Sequence, residues 1–155
     1  MLSFVIPPGH VWNHFSNNRK LGSMFFIPSP TELLTIAATT YPQIFKDAKP
    51  DPIDGRKRLS FVFEYDIGLC NVVPMNDLTP KEFESISEEQ RDGIVVRTVY
   101  TTRTFPTREF QIILSSDNTV ITMFPGPLAP PLPKEGEYSD FWDRHVFIKS
   151  LSSLK

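Results

Sequence analysis

The sequence predicts an α+β domain: a small antiparallel sheet of four to five strands with N-terminal helices packed on one face. Three observations carry this expectation. A capped helix signal at Ser29–Glu32 precedes every strand pattern. Period-two alternation then runs through Lys57–Asp66 and Gly93–Arg103. Two apolar runs, Thr107–Leu114 and Thr119–Phe124, flank the turn-forming Ser115-Ser116-Asp117-Asn118. Helices first and antiparallel strands after is the segregated order of α+β folds.

The elements follow in turn. Pro7-Pro8 keeps the lead-in extended, and Gly9 allows a sharp turn. A short helix over His10–Phe15 would set His10 and His14 on one face at i, i+4. Asn17-Asn18-Arg19-Lys20 reads as a solvated loop. Ser29 is an N-cap, Pro30 suits the first helical position, and Glu32 completes a capping-box spacing. Leu33, Leu34, Ala37 and Ala38 supply the apolar stripe of a helix from Pro30 to Tyr41, and Pro42 ends or kinks it. Its β-branched Thr35, Ile36, Thr39 and Thr40 mean that packing must stabilise it.

Leu59, Phe61, Phe63 and Tyr65 form one face of a half-buried strand, and Cys70–Met75 is its expected hairpin partner across Gly68. Thr79-Pro80-Lys81-Glu82 caps a short helix that would bury Phe83 and Ile86. Gly126–Pro133, with Pro127, Pro130, Pro131 and Pro133, is a stiff extended arm. Tyr138–Leu151 suits helix or strand; the reading taken here is a closing helix. The 155 residues thus form one domain: a helical part over 1–48, a sheet over 57–125, and an arm with a closing segment over 126–155.

Composition narrows the function. Hydrophobic residues make up 40%, with 13 Phe, enough for a true core. The net charge of −2, from 16 Lys+Arg and 18 Asp+Glu, argues against a protein that coats duplex DNA. Cys70 is the single cysteine, so an internal disulfide and a multi-cysteine zinc site are excluded. No apolar run approaches the ~18 residues of a membrane span, so no membrane partner is expected. No glycine-rich nucleotide signature occurs, and no cofactor is expected.

Three groups of residues could carry chemistry. His10 and His14 suit a metal pair, an acid/base pair, or plain packing; no further ligand sits at usable spacing, so no metal is expected. Arg97, Arg103 and Arg108 surround the third strand and the last hairpin, beside the hydroxyls of Thr101 and Thr107. Facing a cleft, they would stabilise a doubly charged phosphorane-like transition state; facing solvent, they would pair with Glu64 or Asp66. Trp12 and Trp142 could stack a nucleobase or fill the core. Cys70 has no neighbouring histidine or cation in sequence.

The layout of Gly9-His10-x-x-x-His14, the Ser29-Pro30-Thr31-Glu32-Leu33-Leu34 helix, and a final strand Val120-Ile121-Thr122-Met123-Phe124-Pro125 resembles the toxin domains of the barnase–EndoU–colicin–RelE-like ribonuclease group. Those domains lie at the C-termini of bacterial polymorphic and contact-dependent toxins. The resemblance spans residues 9–125 and is one of arrangement. Phe124 stands where the group often has Tyr, and the nearest cations to the histidines are Arg19 and Lys20.

The resemblance implies metal-independent RNA cleavage to a 2′,3′-cyclic phosphate. His10 or His14 would accept the 2′-hydroxyl proton, with Arg103 or Arg108 on the scissile phosphate and Thr122 positioning it. Arg97, Arg19, Lys20 and Trp12 would bind the RNA. It also implies a cognate immunity protein, and delivery as the C-terminal part of a larger protein into a target-cell cytoplasm. The competing expectation is a non-enzymatic, cytoplasmic acidic module, itself resembling an immunity protein, that presents Glu82, Glu84, Glu88 and Glu89 to a partner.

Overall fold

The computed structural model describes residues 4–15, 23–91, 93–134 and 137–151; Arg19 and Lys20 lie outside them. The α+β class holds. The strands divide among three small sheets, where one was expected.

Helix α1 (Pro30–Thr40) begins as the sequence dictates. Ser29 Oγ accepts the Glu32 N–H at 3.2 Å, and Pro30 occupies the first turn. It ends at Tyr41, and Pro42 restarts the chain as α2 (Pro42–Asp47). Leu33, Leu34, Ala37 and Phe45 face inward onto a sheet of β2 (Lys57–Val62), β8 (Glu109–Leu114) and β9 (Val120–Pro125). Register explains that core. The Leu59–Ile112–Met123 and Phe61–Phe110–Pro125 rows share one face, so alternate residues of all three strands meet the helices. The β8–β9 turn is the expected one, with Asn118 at φ 65°, a conformation that asparagine tolerates. The lead-in bridges the free edge of β9 in parallel: Val5 N–H donates to the Asn118 carbonyl, and Val120 N–H donates to the Val5 carbonyl.

A two-residue β1 (Met24–Phe25), β3 (Gly68–Leu69) and β7 (Pro106–Thr107) form the second sheet. Strand β1 passes so close to Gly68 that a Cβ there would stand 2.3 Å from the Met24 carbonyl oxygen. The third sheet runs β4 (Val72–Pro74), β10 (His145–Ser150), β6 (Ile94–Thr101), β5 (Ser87–Arg91). Val73, Val99, Val146 and Ile148 fill its own cluster with Cys70 and Phe105.

Three expectations change. The hairpin between Lys57–Asp66 and Cys70–Met75 does not form: β2 pairs with β8, and β4 pairs with β10. Strand β4 finds its partner some seventy residues on, a pairing that no local pattern reports. The closing helix is a single turn, α4 (Asp140–Arg144), capped by Ser139, after which β10 runs into the middle of a sheet, parallel to β6. Val146 and Ile148 alternate inward there, the period of a strand. The acidic Ser87–Arg91 is an edge strand, where charge discourages further pairing. The helix at Pro80–Glu84 (α3) forms with its full capping box, but Phe83 is exposed while Ile86 packs inward.

Candidate functional site

The His10–Phe15 segment is a 3-10 turn, so residues three apart align and residues four apart do not. His10 is exposed, whereas His14 is half-buried. The shared face expected of an α-helix is therefore absent. His14 Nδ1 lies 2.8 Å from Ser23 Oγ, and its ring centre lies 6.4 Å from that of Phe124 on β9. Burial lowers its pKa, opposed by the nearby Ser23 carbonyl and assisted by the charge of His10. Trp12 is 42% exposed and meets Phe15 edge-on.

The three arginines separate. Arg103 lies just past β6 and is held through Nε, Nη2 and the face of its guanidinium. Nη2 meets Glu82 Oε1 at 2.5 Å and the Asp77 carbonyl at 3.0 Å, Nε meets Glu82 Oε2 at 3.1 Å, and the guanidinium stacks 4.0 Å above Phe105. Glu82 also accepts from the Thr79 N–H and from the Thr101 hydroxyl. Led by the Arg103 bond, these contacts pull its pKa down to about 2. Arg108 is exposed and reaches Asp66 at 3.9 Å, a water-screened pair. Arg97 donates to the Trp142 and Asp143 carbonyls, bracing α4 against β6.

Thr122 lies opposite Ile113, which lies opposite Arg58, on the sheet face away from Met123. That row's cation, Arg58, is paired with Asp54 and Asp51. Two clefts flank the Arg103–Phe105 segment, and Thr122, His10, Arg97 and Arg108 line neither. Neither cleft therefore gathers a histidine from the early turn, an arginine and Thr122.

Those two clefts share Cys70, Arg103, Thr104 and Phe105. The narrower one, about 90 Å³, has Ser23 on its wall beside Leu69, Ile148, Thr101, Thr102 and Thr104. The wider groove, about 580 Å³, brings His145 together with Arg103, Thr104, Thr107, Asp77 and Glu109. His145 is rigidly oriented. Its ring stacks on Phe141 at 3.7 Å, and Nδ1 lies 2.7 Å from the Phe141 carbonyl. A carbonyl only accepts, so Nδ1 carries the proton and Nε2 the lone pair. Arg103 Nη1 makes no hydrogen bond among the described residues, and so can meet a ligand while Nε and Nη2 hold the side chain in place. Burial in the wall between the clefts pushes the Cys70 thiol up to about 11, which leaves it a poor nucleophile.

Compared with known protein families, curated proteins and solved structures, the chain matches none. Chemistry must therefore be read from the groove itself. Among the described residues no group of three or more His, Cys, Asp or Glu is arranged to hold a metal ion. No helix among them is long and apolar enough to cross a membrane.

Sequence reasoning left open whether His145 joins the site, and it did not single out Ser23. His145 follows Phe141 by four positions, which allows the backbone bond and ring stack of one helical turn. That spacing was visible, but its meaning depends on β10 pairing with β4 at the groove's edge. Ser23 follows His14 by nine residues and carried no signal beyond that proximity.

Proposed function

We propose that the chain is a metal-independent endoribonuclease effector domain whose reacting pair is His145 and Arg103. The observation that carries this is the groove in which both side chains stand, His145 with its tautomer fixed. His145 Nε2 takes the proton from a ribose 2′-hydroxyl, and the resulting oxyanion attacks the adjacent phosphorus. The P–O5′ bond breaks to leave a 2′,3′-cyclic phosphate, and the proton held on His145 passes through water in the open groove to the 5′-oxygen. Arg103 Nη1 donates to a non-bridging phosphate oxygen, while Thr104 offers a further hydroxyl donor along the groove. Glu82 holds the arginine in position and partly offsets its charge, so binding of the ground-state phosphate is weak. Stabilisation grows as charge builds in the transition state, which favours rate over affinity.

In this proposal the early histidine turn shapes the neighbourhood and does not touch the scissile phosphate. RNA is the substrate. Delivery by a larger protein and protection by an immunity partner follow from the effector reading. The alternative acidic binding module loses part of its face, because Glu82 is committed to Arg103 and Glu89 to Tyr100 and Lys149.

The test is incubation of the folded chain with total RNA in EDTA. Discrete cleavage is expected, falling ~10²-fold in His145→Ala and ~10²–10³-fold in Arg103→Ala, with His10→Ala unchanged. Absence of cleavage by the unaltered chain, or full activity of His145→Ala, refutes the proposal.

A further inference from the structure

The narrower cleft on the other side of the Arg103–Phe105 segment is lined in part by Ser23, whose contact with His14 the ribonuclease mechanism does not use. Ser23 is 4% exposed and lines that cleft, and its hydroxyl sits 2.8 Å from His14 Nδ1. The competing contact from Nδ1 to the Ser23 carbonyl is 3.4 Å, outside the usual range for N–H···O. The short contact therefore fits a serine O–H donating to an unprotonated Nδ1. Burial of the ring favours that neutral form at neutral pH. Hydroxyl and base in direct contact, at the wall of a cavity, is the arrangement of an activated serine nucleophile.

We propose that Ser23 and His14 form a nucleophile–base pair that cleaves small acyl esters, a second activity independent of RNA cleavage. As Ser23 Oγ bonds to the ester carbonyl carbon, its proton passes to His14 Nδ1. The proton then moves to the departing alkoxide as the C–O bond breaks, giving acyl-Ser23 and an alcohol. Water attacks the acyl-serine, His14 takes a proton and returns it to Ser23, and a carboxylic acid leaves. No electrons are transferred overall. Thr102 and Thr104, on the same cleft, supply hydroxyls that can donate to the carbonyl oxygen as it becomes anionic. The cleft volume of about 90 Å³ and the apolar walls Met24, Leu69, Phe105 and Ile148 select a short acyl chain.

A fluorophosphonate probe tests this directly on the full chain, with peptide mass spectrometry locating the adduct. Labelling is expected at Ser23 of the folded protein, absent after urea unfolding and slowed ~10²-fold in His14→Ala. Hydrolysis of p-nitrophenyl acetate should exceed that of the octanoate, and Ser23→Ala should lose it while RNA cleavage persists. Because Ser23 is buried, its Ala variant can fail to fold. Ser23→Cys keeps the shape, and its new thiol should be alkylated by iodoacetamide at pH 7 at least ~10-fold faster than free cysteine. No adduct at Ser23, labelling indifferent to His14→Ala, or alkylation no faster than free cysteine each overturns the proposal.

Discussion

Replacing Glu82 with alanine probes the contact that holds Arg103 in place. Glu82 completes the capping box of α3 through the Thr79 N–H and makes two bonds to Arg103 and one to the Thr101 hydroxyl. A drop in pKa from 4.5 to about 2 corresponds to ~3.4 kcal/mol in the absence of screening. Arg103 is 42% exposed at its side chain, so water reduces the pair to ~1 kcal/mol. Losing the box adds ~0.5–1 kcal/mol. Glu82→Ala should therefore destabilise the fold by ~1.5–2 kcal/mol in urea titration at pH 7. In a double-mutant cycle with Arg103→Ala, ~1 kcal/mol of coupling is expected.

The pH dependence follows from the direction of the shift. A carboxylate with a depressed folded pKa contributes stability above its unfolded value of 4.5 and loses it as pH falls toward about 2. The stability difference between the unaltered chain and Glu82→Gln should shrink across that window. A difference constant from pH 6 to pH 2.5, or a coupling below ~0.2 kcal/mol, would show that Glu82 does not anchor Arg103.

Three further outcomes follow. Phe110 is fully buried, stacked on Phe61 at 4.8 Å and edge-on to Phe63, so Phe110→Ala should cost ~3–5 kcal/mol by urea unfolding. Cys70 should react with a disulfide reagent at pH 8 far more slowly in the native chain than in urea, because burial raises its pKa to about 11. Gly126, at φ 102°, would bring a Cβ to 2.8 Å from that of Cys70; Gly126→Ala should therefore lower the melting temperature, and a neutral result would mean the Pro-rich arm can shift freely.

What was legible in the sequence was local. The Ser29 cap, the Pro42 break, the Thr79–Glu82 capping box and the β8–β9 turn each depend on residues within a few positions, and each formed. What was hidden depends on partners far along the chain. Parallel pairing of β10 with β6 leaves no turn signature, and the pairing of β10 with β4 sets His145 opposite Pro74. Arg103 looked like an available cation because its counter-charge, Glu82, lies twenty-one residues earlier on a different element. The histidine turn misled for a geometric reason: four-residue spacing aligns side chains on an α-helix but not on a 3-10 turn. His14 did come against β9, beside Phe124, yet its nitrogen turned to Ser23.

The most direct test of the central claim is chemical identification of the RNA ends made by the full chain in EDTA. The His145–Arg103 groove predicts 2′,3′-cyclic phosphate ends, lost in His145→Ala and retained in Ser23→Ala. Ends bearing 3′-hydroxyls, or cyclic phosphate made equally well without His145, would contradict it.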